Sequence, residues 1–477
     1  MFRRTKILAT LGPATDSDKV LDEIIEAGVD VARINFSHGE HQDHKRRAEW
    51  IRNRARAYGH QVGVLADLQG PKIRIGRFAD GSVELKEGDT FILDTRMNER
   101  AGTRERVSVT YKDLPSDVSR GDCLLLDDGR ISLWVEESDP EKGIIVTKVK
   151  IGGVLSDSKG INRMGGGLSA GALTEKDRAD IKAAAEIDAD YLAVSFVRTA
   201  DDIHEARNLM QEAGGDAGIV AKIERQEALD DLPNIISAAD VIMIARGDLG
   251  VEIGDAELPG VQKRIVHEAR CLNKVVIVAT QMMESMITNR MPTRAEVMDV
   301  ANSVLDGTDA VMLSGETAVG IDPANVISTV SRICLGAEAQ PAARTSEHRM
   351  AMEFSRIDEA IAMAAMYVAN HTDIRAIACM TESGSTTLWM SRITSGIPIY
   401  ALTRDPKTRR KVTLYRGVYP VSFDPEFSAD DCLQMNRDVT DELVRRNAAR
   451  SGDTVMITRG DVMGVKGGTN SLKIVSI

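Results

Sequence analysis

Eight short apolar runs, each followed by polar or glycine residues and then an amphipathic charged stretch, narrow most what this chain can fold into. They lie at 6–10, 29–36, 62–67, 191–196, 218–223, 241–245, 275–280 and 309–313. Such a rhythm is that of alternating strands and helices. The runs are continuously apolar, as parallel strands covered on both faces are. Eight of them predict a (β/α)8 barrel of the TIM type, in the α/β class.

The spacing breaks once, between 67 and 191. There GSVELKEGD, FILDT, ERVSVTY, CLLLDDGRISLWVEE and GIIVTKVK carry the alternation and turn residues of short antiparallel strands. Residues 71–168 are therefore read as an inserted β-barrel lid domain, and 1–70 with 169–342 as the catalytic barrel. A helix is expected to end near Gln340, and PAARTSEHR reads as a polar connector. In 343–477, IDEAIAMAAMYVANHT and TTLWMSRI look helical, while RAIACMT, IPIYALTR, DTVMITRG and SLKIVSI look like strands, which predicts a smaller C-terminal α/β domain.

Composition excludes several classes of function. The net charge of -12 disfavours nucleic acid and anionic membrane as partners. Cys123, Cys271, Cys334, Cys379 and Cys432 are scattered and never spaced as CxxC, so a disulfide framework or zinc site is not expected and a reducing, cytoplasmic setting is. The opening MFRRTKILATLG is interrupted by Gly12-Pro13 before a signal-peptide core forms, and no apolar run reaches the ~18 residues of a membrane span.

In such a barrel the chemistry lies where the strands end at their carboxyl side. The runs close on Thr10; on Arg33, Asn35 and Ser37; on Asp67; on Ser195; on Lys222 and Glu224; on Arg246, Gly247 and Asp248; on Thr280 and Gln281; and on Ser314 and Glu316. Glu224 and Asp248 are hard oxygen donors of the kind that hold Mg²⁺ or Mn²⁺ beside a phosphorylated substrate. Lys222 shares the side of its strand with Glu224, which sets an ammonium next to that metal. Arg33 and Arg74 add guanidinium forks for phosphate, and Asn35, Ser37 and Asp67 offer oxygens to a small cation. Taken singly, each of these residues suits a salt bridge or a cap as well. The methionines of QMMESMI and AIAMAAMY are read as helix core, and Gly165 to Gly167 as a hinge. The cluster from His38 to His41 reads as a helix start, with only His38 kept as a site candidate.

The motifs ATLGPAT, VARINFSHG, DLQGPKIRIG, VAKIE, ARGDLGVE, ATQMMESMI, PTRAEVMDVAN and MLSGETA resemble those of pyruvate kinase, and the resemblance spans essentially the whole chain. It implies transfer of the phosphoryl group of phosphoenolpyruvate to ADP, giving ATP and, after protonation of the enolate, pyruvate. In its terms Lys222, Arg33, Arg74 and Thr280 are catalytic, and Glu224 and Asp248 hold Mg²⁺. Arg33, Lys222, Gly247, Asp248, Thr280 and Ser195 meet the organic acid, and Asn35, Phe36, Ser37, His38, Arg74 and Lys159 the nucleotide. The K⁺ site of the family falls on Asn35, Ser37, Asp67 and the backbone of Leu68. Many members have Glu where this chain has Lys72, whose fixed ammonium is expected to replace K⁺. INRMGGGLSAG also departs from the Pro-containing stretch of many relatives. TESGSTT resembles the family's effector loop, so Thr381, Ser383, Gly384, Ser385 and Thr386 are expected to bind a sugar phosphate or nucleotide activator, although a helix cap at Ser383 or Ser385 would read the same way. The family further implies a homotetramer. A metal-dependent barrel lyase and a catalytically silent metabolite sensor are the rival readings.

Overall fold

The computed structural model describes residues 2–343, 353–424, 432–462 and 464–477. The connector read at 341–349 falls outside them from 344 onward. Strands Lys6–Thr10, Val31–Asn35, Gly63–Asp67, Tyr191–Val194, Gly218–Ile223, Val241–Ala245, Val275–Ala279 and Ala310–Leu313 close into one barrel. All neighbours are parallel and follow chain order, and Lys6 pairing with Ala310 closes the circle.

The two faces of the strands separate by parity, as a period of two requires. Ile7, Ala9, Ala32, Ile34, Val64 and Ala66 belong to the cluster packed under the helices, whereas Leu8, Val31, Leu65, Val220, Met243 and Ile277 belong to the one inside the barrel. Carried on toward the carboxyl ends, the inward parity reaches Thr10, Arg33, Asp67, Ser195, Lys222 and Glu224. The same alternation that fills the barrel with apolar side chains thus ends in a polar ring at its mouth.

The insert forms a six-stranded sheet and a two-stranded ribbon around a core that includes Phe91, Leu93, Leu124 and Leu133. One pair, Thr90–Asp94 with Arg106–Ser108, is parallel, unlike the wholly antiparallel arrangement expected. The C-terminal unit is a five-stranded sheet in which only the last strand, Ser471–Ser476, runs antiparallel. Its edge strand Val418–Ser422 escapes a sequence reading because Pro420 interrupts the pattern, and an edge is where a strand tolerates proline. Helix Pro406–Lys411 and the helix Cys432–Arg445 were likewise not foreseen.

The C-terminal unit covers the amino-terminal mouth of the barrel. Val412, Leu414, Met366 and Met390 share one buried cluster with Leu8, Val31, Leu65 and Val241 of the barrel interior. Polar ties surround it: Arg392 ion-pairs with Asp309, Arg410 Nε with Asp190 (2.8 Å), and Tyr191 donates to the Lys411 carbonyl (2.6 Å). The opposite mouth, with its polar ring, is left to the insert. Among the described residues no helix is long and apolar enough to cross a membrane.

Candidate active site

Lys222 is the centre of the ring. Its Nζ donates to Ser195 Oγ (2.6 Å) and lies 3.0 Å from Glu224 Oε1 and 3.3 Å from Asp67 Oδ1. Ser195 Oγ in turn donates to the Leu68 carbonyl (2.8 Å). Burial opposes the Lys222 charge, but Asp67 and Glu224 outweigh it and hold its pKa above the ordinary value. Burial also opposes ionisation of Asp67, yet Lys222 and Arg33 win and its pKa is lowered. Arg33 Nε donates to Asp67 Oδ2 (2.6 Å) and its NH1 to Thr10 Oγ1 (3.0 Å), so Asp67 sits between two cations.

Glu224 Oε2 accepts the Phe196 N–H (2.8 Å). Its pKa is raised, first by burial and further by Asp248, with Lys222 acting against both. Two adjacent carboxylates that repel each other, both made of hard oxygens, fit a divalent cation. Among the described residues no third histidine, cysteine or acid joins them, so substrate and water oxygens would complete such a shell. Lys72 Nζ reaches Asp248 Oδ1 at 2.9 Å. In this conformation it makes no hydrogen bond or ion pair with Asn35, Ser37 or Asp67, and its partner is the Asp248 carboxylate.

Gly247 and Asp248 open the helix Arg246–Ile253, whose first turn carries N–H groups without helical partners and so favours an anionic ligand. Thr280 stands beside them: its Oγ1 accepts from Gly247 N (2.8 Å) and donates to the Ala279 carbonyl (2.6 Å). Thr280 and Gln281 have φ of 66° and 54°, a left-handed bend that breaks the QMMESMI segment. Met282, Met283 and Met286 are buried as foreseen, but in this loop and the 3-10 turn Glu284–Ile287 in place of the expected α-helix. At Gly70, φ of +66° and an approach of 2.8 Å from a would-be Cβ to Ser195 Cβ leave room for glycine alone, which lets the DLQG turn press against Ser195.

The nucleotide candidates divide. Ser37 N donates to Asn35 Oδ1 (3.1 Å), and the Phe36 carbonyl accepts from Lys176 Nζ (2.7 Å), which also reaches Asp180 (2.6 Å). These contacts fix the loop from Asn35 to His38 at the ring's edge, with His38 exposed. The Phe36 ring is buried against His44, 4.3 Å between centroids, so only its backbone faces outward. Arg74 and Lys159 are bound inside the insert, Arg74 NH1 to the Ser158 carbonyl (3.0 Å) and Lys159 Nζ to Asp127 Oδ1 (2.6 Å). Neither touches the ring in this conformation. Gly165, Gly166 and Gly167 all have positive φ where the insert rejoins the barrel, and the Gly167 N–H is taken by the Glu227 carboxylate.

Sequence reasoning gave Arg246 no role, although Arg246 grips the Thr280 and Gln281 carbonyls, and it passed over Lys176 and Asp180 altogether. The charged helix-start pattern TEKDRAD that holds the latter two looks like any solvated helix face.

In the C-terminal unit Thr381 Oγ1 accepts from Gly384 N (2.9 Å), Ser383 and Ser385 hydroxyls meet at 3.2 Å, and Thr386 meets Thr469 at 2.8 Å. They line a cavity of about 190 Å³ with Arg404 and Arg459. This cavity is on the opposite side of the barrel from the ring.

Comparison with known proteins shows the family. The family model described as pyruvate kinase, barrel domain matches residues 2–327, and that described as pyruvate kinase, alpha/beta domain matches 359–475. A pyruvate kinase II of Salmonella typhimurium is 54% identical over 480 residues, covering 100% of this chain and 99% of the relative. A pyruvate kinase of Haemophilus influenzae is 53% identical, covering 96% of each, and one of Corynebacterium glutamicum is 42% identical, covering 99% and 98%. Matched in both domains and along its full length, the chain belongs to the pyruvate kinase family.

Proposed function

We propose that the polar ring at the barrel mouth is where this chain transfers the phosphoryl group of phosphoenolpyruvate to ADP. The observation that carries the reading is the placement of Lys222, held by Asp67, Glu224 and Ser195, next to Asp248, Gly247 and Thr280. Phosphoryl transfer asks chiefly for positioning and for neutralising charge on the moving group. Lys222 and Arg33 meet that group, and the turn formed by Gly247 and Asp248 beside Thr280 meets the carboxylate of the acid. Glu224 and Asp248 would hold Mg²⁺, which when bound supplies Lewis-acid neutralisation of the phosphate oxygens. Thr280 serves the later proton delivery to the enolate, through water.

ADP enters over the loop from Asn35 to His38, and the insert, 71–168, closes to bring Arg74 and Lys159 to it and to exclude water. Members of the family generally use Mg²⁺ and K⁺. Here Asp67 is already between Arg33 and Lys222, and Lys72 adds a third fixed cation nearby, which favours turnover without K⁺.

The cavity at Thr381, Ser383, Gly384, Ser385 and Thr386 takes a sugar phosphate or nucleotide that activates the enzyme. What supports this is the helix Ser385–Ser391 leading from that loop into Arg392, whose ion pair with Asp309 reaches the foot of the eighth barrel strand. A homotetramer is supported by Met298 and Leu305, exposed seven residues apart on one helix, with Met291, Val319 and Ile321 exposed nearby. The domains divide as 1–70 with 169–342, 71–168 and 343–477, in a cytoplasmic enzyme.

The test is pyruvate formation from phosphoenolpyruvate and ADP with Mg²⁺ in K⁺-free buffer, repeated with K⁺, with a panel of sugar phosphates and with AMP. Turnover without K⁺, accelerated by one of the phosphates, is expected. No turnover under any condition would bring the sensor reading forward.

A further inference from the structure

We propose that Arg246, seated by Asp299, is a positioning residue for Thr280, and that it acts on the proton step of the reaction. The inference rests on the reading of Thr280 as the group that serves enolate protonation.

The conformation of Thr280 is one that a β-branched residue rarely adopts, and Gln281 repeats it, with φ of 66° and 54°. Consecutive left-handed residues persist only where surrounding contacts overdetermine them. Arg246 supplies those contacts. Its side chain is buried, and it donates from NH2 to the Thr280 carbonyl (2.8 Å), from Nε to the same carbonyl (3.2 Å) and from NH2 to the Gln281 carbonyl (3.1 Å). The remaining arm, NH1, donates to Asp299 Oδ1 (2.7 Å) on helix Arg294–Asp306. A planar guanidinium with five N–H donors can fix two successive carbonyls in direction, and a lysine ammonium cannot.

The next residue in the chain completes the grip. Gly247 N donates to Thr280 Oγ1 at 2.8 Å, so one turn holds Thr280 by its carbonyl and by its hydroxyl at once. Arg246 makes no hydrogen bond or ion pair with Lys222, Glu224, Asp248 or Asp67 among the described residues, and its only carboxylate partner there is Asp299. Its influence on the chemistry therefore runs through Thr280. In the step concerned, a C–H bond forms at the enolate methylene carbon while an O–H bond breaks on the Thr280 side, and the proton is replaced from solvent. In reverse, a methyl proton of pyruvate is lost to water.

The experiment measures exchange of pyruvate methyl protons with D₂O by NMR, at saturating pyruvate with Mg²⁺, alongside turnover of phosphoenolpyruvate and ADP. It compares the intact enzyme with Thr280→Ala, Arg246→Lys, Asp299→Asn and the two doubles that contain Thr280→Ala. Arg246→Lys and Asp299→Asn are each expected to slow exchange by about tenfold or more while leaving KM for ADP unchanged, the scale expected of a misdirected catalytic group. In the Thr280→Ala background neither should slow it further, because residues that act as a unit are not additive. Exchange retained in Thr280→Ala overturns the reading of Thr280 itself. Exchange lost there but retained in Arg246→Lys and Asp299→Asn overturns the role of Arg246, as do losses that multiply in the doubles. Should Arg246→Lys fail to fold, Asp299→Asn decides, since it changes charge without shape on a partly exposed helix residue.

Discussion

Lys72 Nζ lies 2.9 Å from one oxygen of Asp248 and 3.3 Å from the other, so an ammonium from the root of the insert occupies the carboxylate proposed to hold a divalent cation. The two cations compete for Asp248 unless Lys72 steps aside toward the oxygens of Asn35 and Ser37. Lys72→Met is expected to lower the Mg²⁺ concentration at half-saturation by roughly two- to fivefold, the scale of a partly exposed ion pair. The same variant should make turnover dependent on K⁺. Mg²⁺ titrations with and without K⁺ check both, and an unchanged cation dependence would remove Lys72 from the site.

Lys222 carries the strongest expectation. Lys222→Met keeps the length and apolar stem but removes the charge that Asp67 and Glu224 surround. Turnover should fall by about 10²–10³-fold or more, as when one electrostatic contact to a transition state is lost. Circular dichroism should report an unchanged fold, and retained turnover would contradict the role assigned to this residue.

Glu252 makes stability depend on pH at the root of the insert. It is 4% exposed, accepts the Gln226 N–H at 2.9 Å, and lends its carbonyl to Gly165 of the hinge. Burial raises its pKa to about 7, with Glu227 adding to the effect and the Gln226 N–H and Arg225 opposing it. The folded state therefore binds this proton more tightly than the unfolded state, where the group titrates near 4.5. The resulting stability is present at low pH and is lost as pH rises from about 4.5 through about 7. Glu252→Gln should raise Tm by several degrees at pH 8 and leave it nearly unchanged at pH 4.5, which scanning calorimetry at the two values would test.

Arg392 and Asp309, both almost wholly buried, join the C-terminal unit to the barrel. Removing one partner leaves the other charge buried, so Arg392→Met should cost about 3–5 kcal/mol in a denaturant titration. Arg392→Met combined with Asp309→Asn should recover part of that loss. The single variant should also blunt activation by whichever phosphate the C-terminal cavity takes, and undiminished activation would mean that the signal travels elsewhere.

Much of this architecture was legible in the chain itself. Continuous apolar runs can be satisfied only by strands covered on both faces, so the barrel and the place of its insert followed from hydrophobic pattern alone. Period-two alternation then put Lys222 and Glu224 on one side of their strand, because parity needs no knowledge of neighbours. What pattern could not convey is which residues meet across strands. The contacts of Lys72 with Asp248, of Arg246 with Thr280 and of Arg392 with Asp309 join residues 176, 34 and 83 positions apart. Pairings over such separations depend on barrel closure and domain docking, which no local periodicity encodes. The left-handed bend at Thr280 was hidden for the same reason: neither residue favours it, and the contacts that hold it, from the Arg246 guanidinium and the Gly247 N–H, arrive from the neighbouring strand end. The sequence by itself determined the strands, their order and the residue types at the mouth of the barrel; tertiary structure decided which charges neutralise which, because Coulomb attraction and hydrogen bonding act through space over a few ångströms and not along the chain.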